Sequence, residues 1–228
     1  MINQASWMER YSRQILLPQI GGVGQKKLGE SSVGLIGTNS ICQPFFLYGV
    51  GAGIGKWGVI DTIKSRATEL ASQANLRNPT VEVVVFPPNR LKRDVESWVK
   101  LFSIVIDASN DTSIQQQLAS ACQLTRTPII SAGYQGSTGW LLQAPCPFCL
   151  GTTPPPPSAK NIDTPLDAMV PGVIGTLLAQ HVINFLLEPP KKLPPLLLSF
   201  TADRSTFLSQ RPYIDPNCPS CHNPKKIN

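Results

Sequence analysis

The sequence predicts an α/β protein with a doubly wound, mostly parallel sheet that ends in an antiparallel pair of strands. Two observations lead to this class. Short β-branched runs alternate with helical segments through the first 133 residues, as in chains of strand–helix–strand units. The run VEVVVF at 81–86 is almost unbroken, which is typical of a parallel strand buried on both faces. We expect a single domain spanning residues 1–228.

The first part of the chain supplies the predicted parallel sheet. Residues 1–30 form an N-terminal arm, with a short helical stretch and a glycine-containing turn before the first strand at 33–36. Gly53 and Gly55 end the helix that follows the first strand, because glycine is a common helix terminator. The elements after the first strand are predicted in this order: helix 43–52, strand 57–61, helix 67–76, strand 81–86, helix 94–102, strand 103–109, helix 112–124, strand 127–133 and strand 137–143.

The last part of the chain is more varied. Residues 152–165 contain four consecutive prolines and are predicted to be a linker or crossing loop, since proline removes hydrogen-bond donors. The apolar stretch 173–187 predicts a buried helix. Residues 193–211 predict two paired strands, so that 193–228 forms a C-terminal unit of strands and a tail with two cysteines.

The distribution of charged and apolar residues limits the kinds of partner that we expect. The net charge of +6 is spread along the chain, and the basic clusters at 89–94 and 224–228 have no interleaved aromatic residues. We therefore interpret them as solvated surface and expect no nucleic-acid partner. Five glycines and Lys56 interrupt the apolar residues 45–60, so we expect no membrane partner. The first residues lack the apolar segment of a signal peptide, and we expect a cytoplasmic location.

Four cysteines form two C-x-x-C pairs, a spacing that presents two thiolates to one metal ion. Because no export signal is visible, we predict a structural zinc site rather than disulfides. A redox dithiol and buried thiols are the alternatives, and Cys122, on a helical apolar stripe, is interpreted as a core residue. The predicted zinc ligands are Cys146, Cys149, Cys218 and Cys221.

The turn after the first strand is where a strand–turn–helix unit usually binds a nucleotide phosphate. Such turns are rich in glycine, because only glycine lets the backbone come close to the phosphate. Here the turn reads Gly37-Thr38-Asn39-Ser40-Ile41-Cys42 and contains one glycine. The frame of a nucleotide site is therefore present without its usual loop.

Several segments together resemble the ThiF/MoeB/HesA superfamily, the adenylating enzymes related to ubiquitin-activating enzymes. The order of the segments along almost the whole chain makes the resemblance specific. It implies a Rossmann-like fold, a dimer, and Mg-ATP-dependent adenylation of the C-terminal glycine of a small β-grasp protein such as a sulfur carrier. The matching segments are 9–28 with its R-Y-x-R-Q pattern, 33–37, 53–61, 105–111, 168–187 and the two C-x-x-C pairs.

The resemblance also shows where this chain departs from the family pattern. At the glycine positions of G-x-G-G-x-G stand Gly37, Asn39, Ser40 and Cys42, so three are replaced. Each replacement adds a Cβ atom, and we expect a cramped, cation-poor pocket. Asp61 matches the acidic residue that holds the ribose hydroxyls. The S-N-L-x-R-Q stretch, whose arginine contacts the phosphates in the family, is absent after Asp61. Lys64 and Arg66 are both candidates to replace that arginine, and the sequence leaves the choice open.

The family's D-x-x-D-N motif reads Asp107-Ala108-Ser109-Asn110-Asp111. The aspartate that holds magnesium falls on Asn110, which has no charge to offer a hard cation. We expect the neighbouring Asp111 to point elsewhere, because successive residues alternate in direction. The loop 152–165 contains no cysteine, which excludes thiol transfer from it.

One functional residue of the family pattern is present. The second arginine of R-Y-x-R-Q reaches the nucleotide site of the other subunit in the family, and here it is Arg13. The alternative is a surface or helix-capping arginine.

The sequence thus leads to a first hypothesis, a non-adenylating pseudo-subunit with structural zinc. It would form a homo- or heterodimer with a ThiF/MoeB-like subunit or bind a β-grasp, ubiquitin-like protein, and binding of ATP and Mg²⁺ is left open. The alternative is an active ATP-dependent adenylyltransferase that uses Asp61, Asp111 and either Lys64 or Arg66. A third hypothesis is a dehydrogenase-like nucleotide-binding protein, which has weak support from Gly37 and Asp61.

Overall fold

Eight strands form one sheet in the computed structural model, which describes residues 4–143, 167–188, 195–203 and 205–212. The strands, in chain order, are β1 (Ser32–Ile36), β2 (Lys56–Ile60), β3 (Glu82–Val85), β4 (Ile104–Asp107), β5 (Ile129–Gln135), β6 (Thr138–Gln143), β7 (Leu196–Thr201) and β8 (Thr206–Gln210). The α-helices of the described ranges are α1 (Gln4–Ile15), α2 (Gly21–Glu30), α3 (Cys42–Ala52), α4 (Lys64–Arg77), α5 (Asn89–Val99), α6 (Thr112–Thr125) and α7 (Val170–Leu187).

The strand order in the sheet is β3-β2-β1-β4-β5-β6-β7-β8. Strands β1 to β5 pair in parallel, whereas β6, β7 and β8 pair in antiparallel fashion. The predicted doubly wound, mostly parallel sheet with C-terminal antiparallel strands is therefore confirmed. The chain reverses its direction of winding between β1 and β4, and at such a switch point the carboxyl ends of the strands leave a crevice.

Helices cover both faces of the sheet, because alternate residues of the central strands are apolar on both sides. Leu35 of β1 packs in the larger core cluster with residues of α2, α3, α4 and α7. The next residue, Ile36, packs in a second cluster with residues of α5 and α6. Each central strand is thus buried on both faces, as its β-branched sequence indicates.

One face of helix α7 is buried in the fold. By length and composition it is, within the described ranges, the one helix apolar enough to cross a membrane. Ile174 and Leu178 are among its buried residues in the larger core cluster, and the helix packs against both α3 and the sheet. It starts at Val170, after a 3₁₀ turn at Asp167–Met169. This is three residues before the predicted start, because Pro171 fits the first turn of a helix.

Two other predictions differ from the structure. The N-terminal arm contains two helices, α1 and α2, rather than one short helical stretch. Helix α5 begins at Asn89, five residues before the predicted start, and bends at Asp94, whose φ of −159° is not helical. The basic residues before Asp94 therefore form the first turns of this helix.

Buried hydrogen bonds attach α1 to the body of the protein. The Tyr11 side chain is 1% exposed, and its hydroxyl accepts a bond from Asn78 Nδ2 at 2.7 Å and lies 3.0 Å from Thr80 Oγ1. Gly53 has a φ of +85°, and a Cβ there would lie 2.6 Å from the Tyr11 hydroxyl. Gly53 therefore both ends α3 and makes room for the ring that attaches the arm.

Candidate functional site

A cleft of about 690 Å³ opens at the carboxyl ends of β1, β2 and β4. Its volume falls within the roughly 300–1,000 Å³ of small-molecule sites. The expectation of a cramped pocket is therefore wrong for the described residues. Residues of three loops and of helices α4, α5 and α6 line the cleft, among them Gly37, Thr38, Asn39, Asp61, Arg66, Lys92 and Asp111.

The loop after β1 approaches the loop after β4 at Gly37. This glycine has a φ of +84°, and a Cβ there would collide with the backbone carbonyl of Ala108. Gly37 is therefore required by the packing of the protein itself, before any ligand is considered.

Asn39 joins the same two loops through its side chain. Its Nδ2 donates to the Ala108 carbonyl at 2.7 Å, and its Oδ1 accepts from the Ile41 backbone N–H at 3.0 Å. Among the described residues other than glycine, only Asn110, Arg126 and Ser205 have a positive φ. Asn39 thus occupies a glycine position of the family pattern without adopting a glycine-like backbone.

The first turn of α3 has few backbone donors left for a ligand. The Ile41 N–H donates to the Asn39 side chain, and the Cys42 N–H donates to the Asn39 carbonyl at 2.9 Å. Pro44 has no N–H. Gln43 supplies the remaining backbone N–H of residues 41–44, so this end of the helix is a poorer anion site than a glycine-rich loop would make.

Asp61 also lines the cleft and lies directly after β2. It is 8% exposed, and both carboxylate oxygens are held in place. Oδ2 accepts from the Thr38 hydroxyl at 2.5 Å, and Oδ1 accepts from the Ile63 N–H at 2.6 Å. A carboxylate oxygen has more than one acceptor position, so Asp61 is a fixed acceptor that can still receive hydroxyl donors.

The loop after β4 presents Asp111 to the cleft. Asn110 has a φ of +55°, which turns the chain before α6, and it is absent from the described cleft lining. The expectation that Asp111 points elsewhere is therefore wrong, because the strand has already ended there. Asp111 Oδ1 accepts from the N–H groups of Ser113 and Ile114 and caps α6. Within the described residues Oδ2 accepts no hydrogen bond.

Asp107, the first aspartate of the same motif, is buried and committed to structure. Its Oδ1 accepts from the Ser109 N–H at 3.0 Å and the Ser109 hydroxyl at 2.7 Å, and Oδ2 accepts from the Ser131 hydroxyl at 3.3 Å. Burial raises the pKa of Asp107, although these hydrogen bonds oppose the shift. Asp107 therefore shapes the loop, whereas Asp111 faces the cleft.

Among the residues that the structure describes, two cations line the cleft. Arg66, on α4, and Lys92, on α5, both contribute to its wall, whereas the exposed Lys64 does not. The expectation of a cation-poor pocket is wrong for this part of the chain. Of the two cations that the sequence left open, Arg66 is the one that the fold brings to the site.

A second cleft of about 500 Å³ adjoins the first. The two share Thr38, Asn39 and Arg66, so the loop after β1 and the start of α4 separate them. Its lining is mainly polar and includes Gln43, Glu69, Gln73 and Tyr134. Sequence reasoning missed these residues, because only the packing of α3 against α4 brings them together.

The two cysteines of the described helices are core residues. The Cys42 thiol donates to the Gly37 carbonyl at 3.3 Å, and burial raises its pKa. Burial also raises the pKa of Cys122 to about 12. Thiolates are the reactive form of cysteine, so these buried thiols are poor nucleophiles.

Other predicted site residues lie apart from the cleft. Arg13 is exposed on α1 and makes no hydrogen bond or ion pair with a described residue. The crossing loop and the four predicted zinc ligands, Cys146, Cys149, Cys218 and Cys221, lie outside the described residues.

The structure is an open α/β sheet, a class of protein that binds ligands in the crevice at the switch point, and here Asp61 and Asp111 line that crevice. The comparisons with known proteins refine this class. Residues 11–222 match the ThiF family, and the chain belongs to that family.

Two relatives of known name illustrate the match. The chain is 31% identical to "Adenylyltransferase and sulfurtransferase MOCS3" of Anopheles gambiae over 93% of its length, and that alignment covers 54% of the relative. It is 26% identical to "Sulfur carrier protein adenylyltransferase" of Thermus thermophilus, over 94% of this chain and 90% of the relative. The chain therefore spans about half the length of the MOCS3 protein and most of the bacterial one.

Solved structures match the fold. The E. coli MccB structure with ATP superposes with a TM-score of 0.74 at 21% identity, covering 93% of this chain and 74% of that chain. The PaaA structure gives a TM-score of 0.69 at 14% identity, with 93% and 75% covered. At these identities the likeness extends to the fold alone.

Proposed function

We propose that this protein is an ATP-dependent adenylyltransferase that activates the C-terminus of a small ubiquitin-like or sulfur-carrier protein. The observation that carries the proposal is the arrangement of Asp61 and Asp111 on one open cleft that Arg66 also lines. The names of the MOCS3 and Thermus relatives describe adenylyltransferases, and both alignments extend over almost the whole chain.

Each residue of the cleft has a role in this proposal. Asp61 accepts hydrogen bonds from the ribose hydroxyls, and the free oxygen of Asp111 suits Mg²⁺, a hard cation that prefers oxygen ligands. Arg66 offsets negative charge on the phosphates. A carboxylate oxygen of the carrier's C-terminus attacks the α-phosphorus, a P–O bond forms, and the bond to pyrophosphate breaks. The products are an acyl-adenylate and pyrophosphate.

Pyrophosphate exchange into ATP tests this proposal. The full chain is incubated with Mg-ATP, labelled pyrophosphate and candidate carrier proteins, and we expect carrier-dependent exchange. Asp111→Asn should lower the exchange rate by about 10²-fold or more, because it removes the charge proposed to bind the metal. Glu30→Gln changes an exposed carboxylate on α2 and is the matched control. Exchange that is absent with every carrier, or unaffected by Asp111→Asn, would contradict the proposal.

A second candidate function has its own observation. Asn39 uses the first two backbone donors at the start of α3, and Asn110 stands at the family's magnesium position. These features favour a non-adenylating subunit that dimerises with an active relative and supplies Arg13 to the relative's cleft. Arginines that act in trans on phosphates contribute roughly 10³–10⁵ in rate. Arg13→Ala should then leave dimerisation intact and lower the activity of the mixed dimer, whereas unchanged activity would exclude this role.

We also propose that Cys146, Cys149, Cys218 and Cys221 bind a structural zinc ion. The support is their arrangement in two C-x-x-C pairs, which is a frequent pattern of four-thiolate zinc sites. Such a site would link the segment after β6 to the tail after β8.

A further inference from the structure

We propose that the Asn39 side chain is a lock on the phosphate end of the cleft, which makes the protein bind adenosine or AMP in preference to ATP until the lock opens. This inference rests on the proposed function, because it takes the cleft to be a nucleotide site. It adds a specificity-determining residue at a position where the family pattern has glycine.

The lock consists of two hydrogen bonds that point in different directions. Asn39 Oδ1 accepts the Ile41 N–H at 3.0 Å, and Nδ2 donates to the Ala108 carbonyl at 2.7 Å. The first bond covers a donor at the start of α3, and the second ties the loop after β1 to the loop after β4. Both loops line the cleft, so the side chain bridges two of its walls.

A triphosphate competes with this side chain for the same donors. Phosphate oxygens bind best where several backbone N–H groups converge. Here the Asn39 side chain and carbonyl accept from Ile41 and Cys42, and Pro44 contributes no donor. A phosphate that uses the Ile41 N–H therefore requires the bond between Ile41 and Asn39 to break first.

The part of the cleft around Asp61 does not use the two bonds of the lock. The Asp61 carboxylate accepts hydrogen bonds from the Thr38 hydroxyl and the Ile63 N–H. It does not hydrogen-bond to the Asn39 side chain, which bonds to Ile41 and Ala108. The cleft lining also includes Leu91, Ile114 and Gln117, which belong to α5 and α6 and take no part in the two bonds of Asn39. Loss of the Asn39 side chain should therefore change the binding of phosphates and leave the binding of adenosine unchanged.

Titration calorimetry of the full chain with adenosine, AMP and Mg-ATP tests the lock. Asn39→Gly removes both bonds, and we expect the affinity for ATP to rise about tenfold with less than a twofold change for adenosine. Ser40→Gly is the matched control: it restores glycine at the next family position, but the Ser40 side chain is exposed and has no part in the lock. We expect it to change the ATP affinity by less than twofold.

Asn39→Asp provides a second variant of nearly the same shape. It retains the acceptor for the Ile41 N–H, loses the donor to Ala108 and adds negative charge, so the ATP affinity should fall while adenosine binding persists. Adenosine binding also reports that each variant is folded.

The outcomes separate the lock from the proposed function. Equal ATP affinities of the unchanged protein and Asn39→Gly, or an equal gain with Ser40→Gly, would overturn the lock and leave the adenylyltransferase proposal standing. ATP binding gained by Asn39→Gly, together with no exchange activity, would support the lock and contradict that proposal. Absence of nucleotide binding in all variants would overturn both.

Discussion

At the scale of single residues, the structure explains why one glycine of the loop is present and three are replaced. A Cβ at Gly37 would collide with the Ala108 carbonyl, so the protein's own packing requires glycine there. Asn39, Ser40 and Cys42 stand at positions where the fold has room for a side chain. Glycine at those positions would let a ligand come close to the backbone, and the fold itself does not need it there. Replacement therefore changes the site without disturbing the sheet.

The buried Asp107 carboxyl leads to a prediction about how the stability of the protein depends on pH. Burial raises its pKa in the folded protein above the ordinary value of 3.8, so folding becomes less favourable as the pH rises from that value through the folded pKa. Asp107→Asn can keep the bonds to Ser109 and Ser131 without the charge. We expect the stability of this variant relative to the unchanged protein to increase with pH and then level off, as measured by urea unfolding at pH 4 and pH 7.5.

Asp203→Asn is the control for this measurement, since Asp203 is exposed in the turn between β7 and β8. A gain in relative stability at low pH rather than at high pH would contradict the assignment of Asp107 as a buried group with a raised pKa.

At the scale of elements, the contact between α3 and α7 supports the loop after β1. A Cβ at Gly175 of α7 would collide with the Ile41 carbonyl and lie 2.5 Å from Pro44 Cγ. Ile41 is also the donor to Asn39. The position of α7 is therefore coupled to the loop after β1 through one close backbone contact.

Gly175→Ala should consequently lower the free energy of unfolding by about 1–3 kcal/mol, because overpacking must displace α3 or α7. Gly172→Ala lies in the same helix, where a Cβ would have no neighbour within 4 Å. It should be neutral or stabilising by up to about 1 kcal/mol, from the higher helix propensity of alanine. Chemical denaturation measures both, and equal effects of the two substitutions would argue against the contact.

The sequence predicted the elements of the sheet well, because hydrophobic periodicity and β-branched runs are local features. The sequence-based predictions were wrong where the position of a side chain depends on tertiary packing. The left-handed backbone of Asn110, which turns Asp111 into the cleft, is not visible in the D-x-x-D-N motif, which begins within the strand predicted at 103–109. Arg66 and Lys92 belong to different helices, so their presence on one wall depends on how α4 and α5 pack.

At the scale of the whole molecule, the proposed zinc site would connect two distant parts of the chain. Zinc binding by such sites contributes roughly 10–16 kcal/mol in zinc-finger peptides. We expect one zinc ion per chain by mass spectrometry of the metal content, and less than half of that after Cys218→Ser.

Cys122→Ser is the matched control for the zinc measurement, because this thiol is buried in the core and is not a proposed ligand. It should keep its zinc. A chain that is purified with intact cysteines and contains no zinc would contradict the site.

The central claim is that the cleft at the carboxyl ends of β1, β2 and β4 binds an adenine nucleotide through Asp61. Calorimetric titration of the full chain with Mg-ATP, beside Asp61→Asn, tests it most directly. We expect one nucleotide per chain and an affinity about tenfold lower for the variant, since a hydrogen bond to a charged group is lost. Equal affinities of the two proteins, or no binding by the unchanged protein, would contradict the claim.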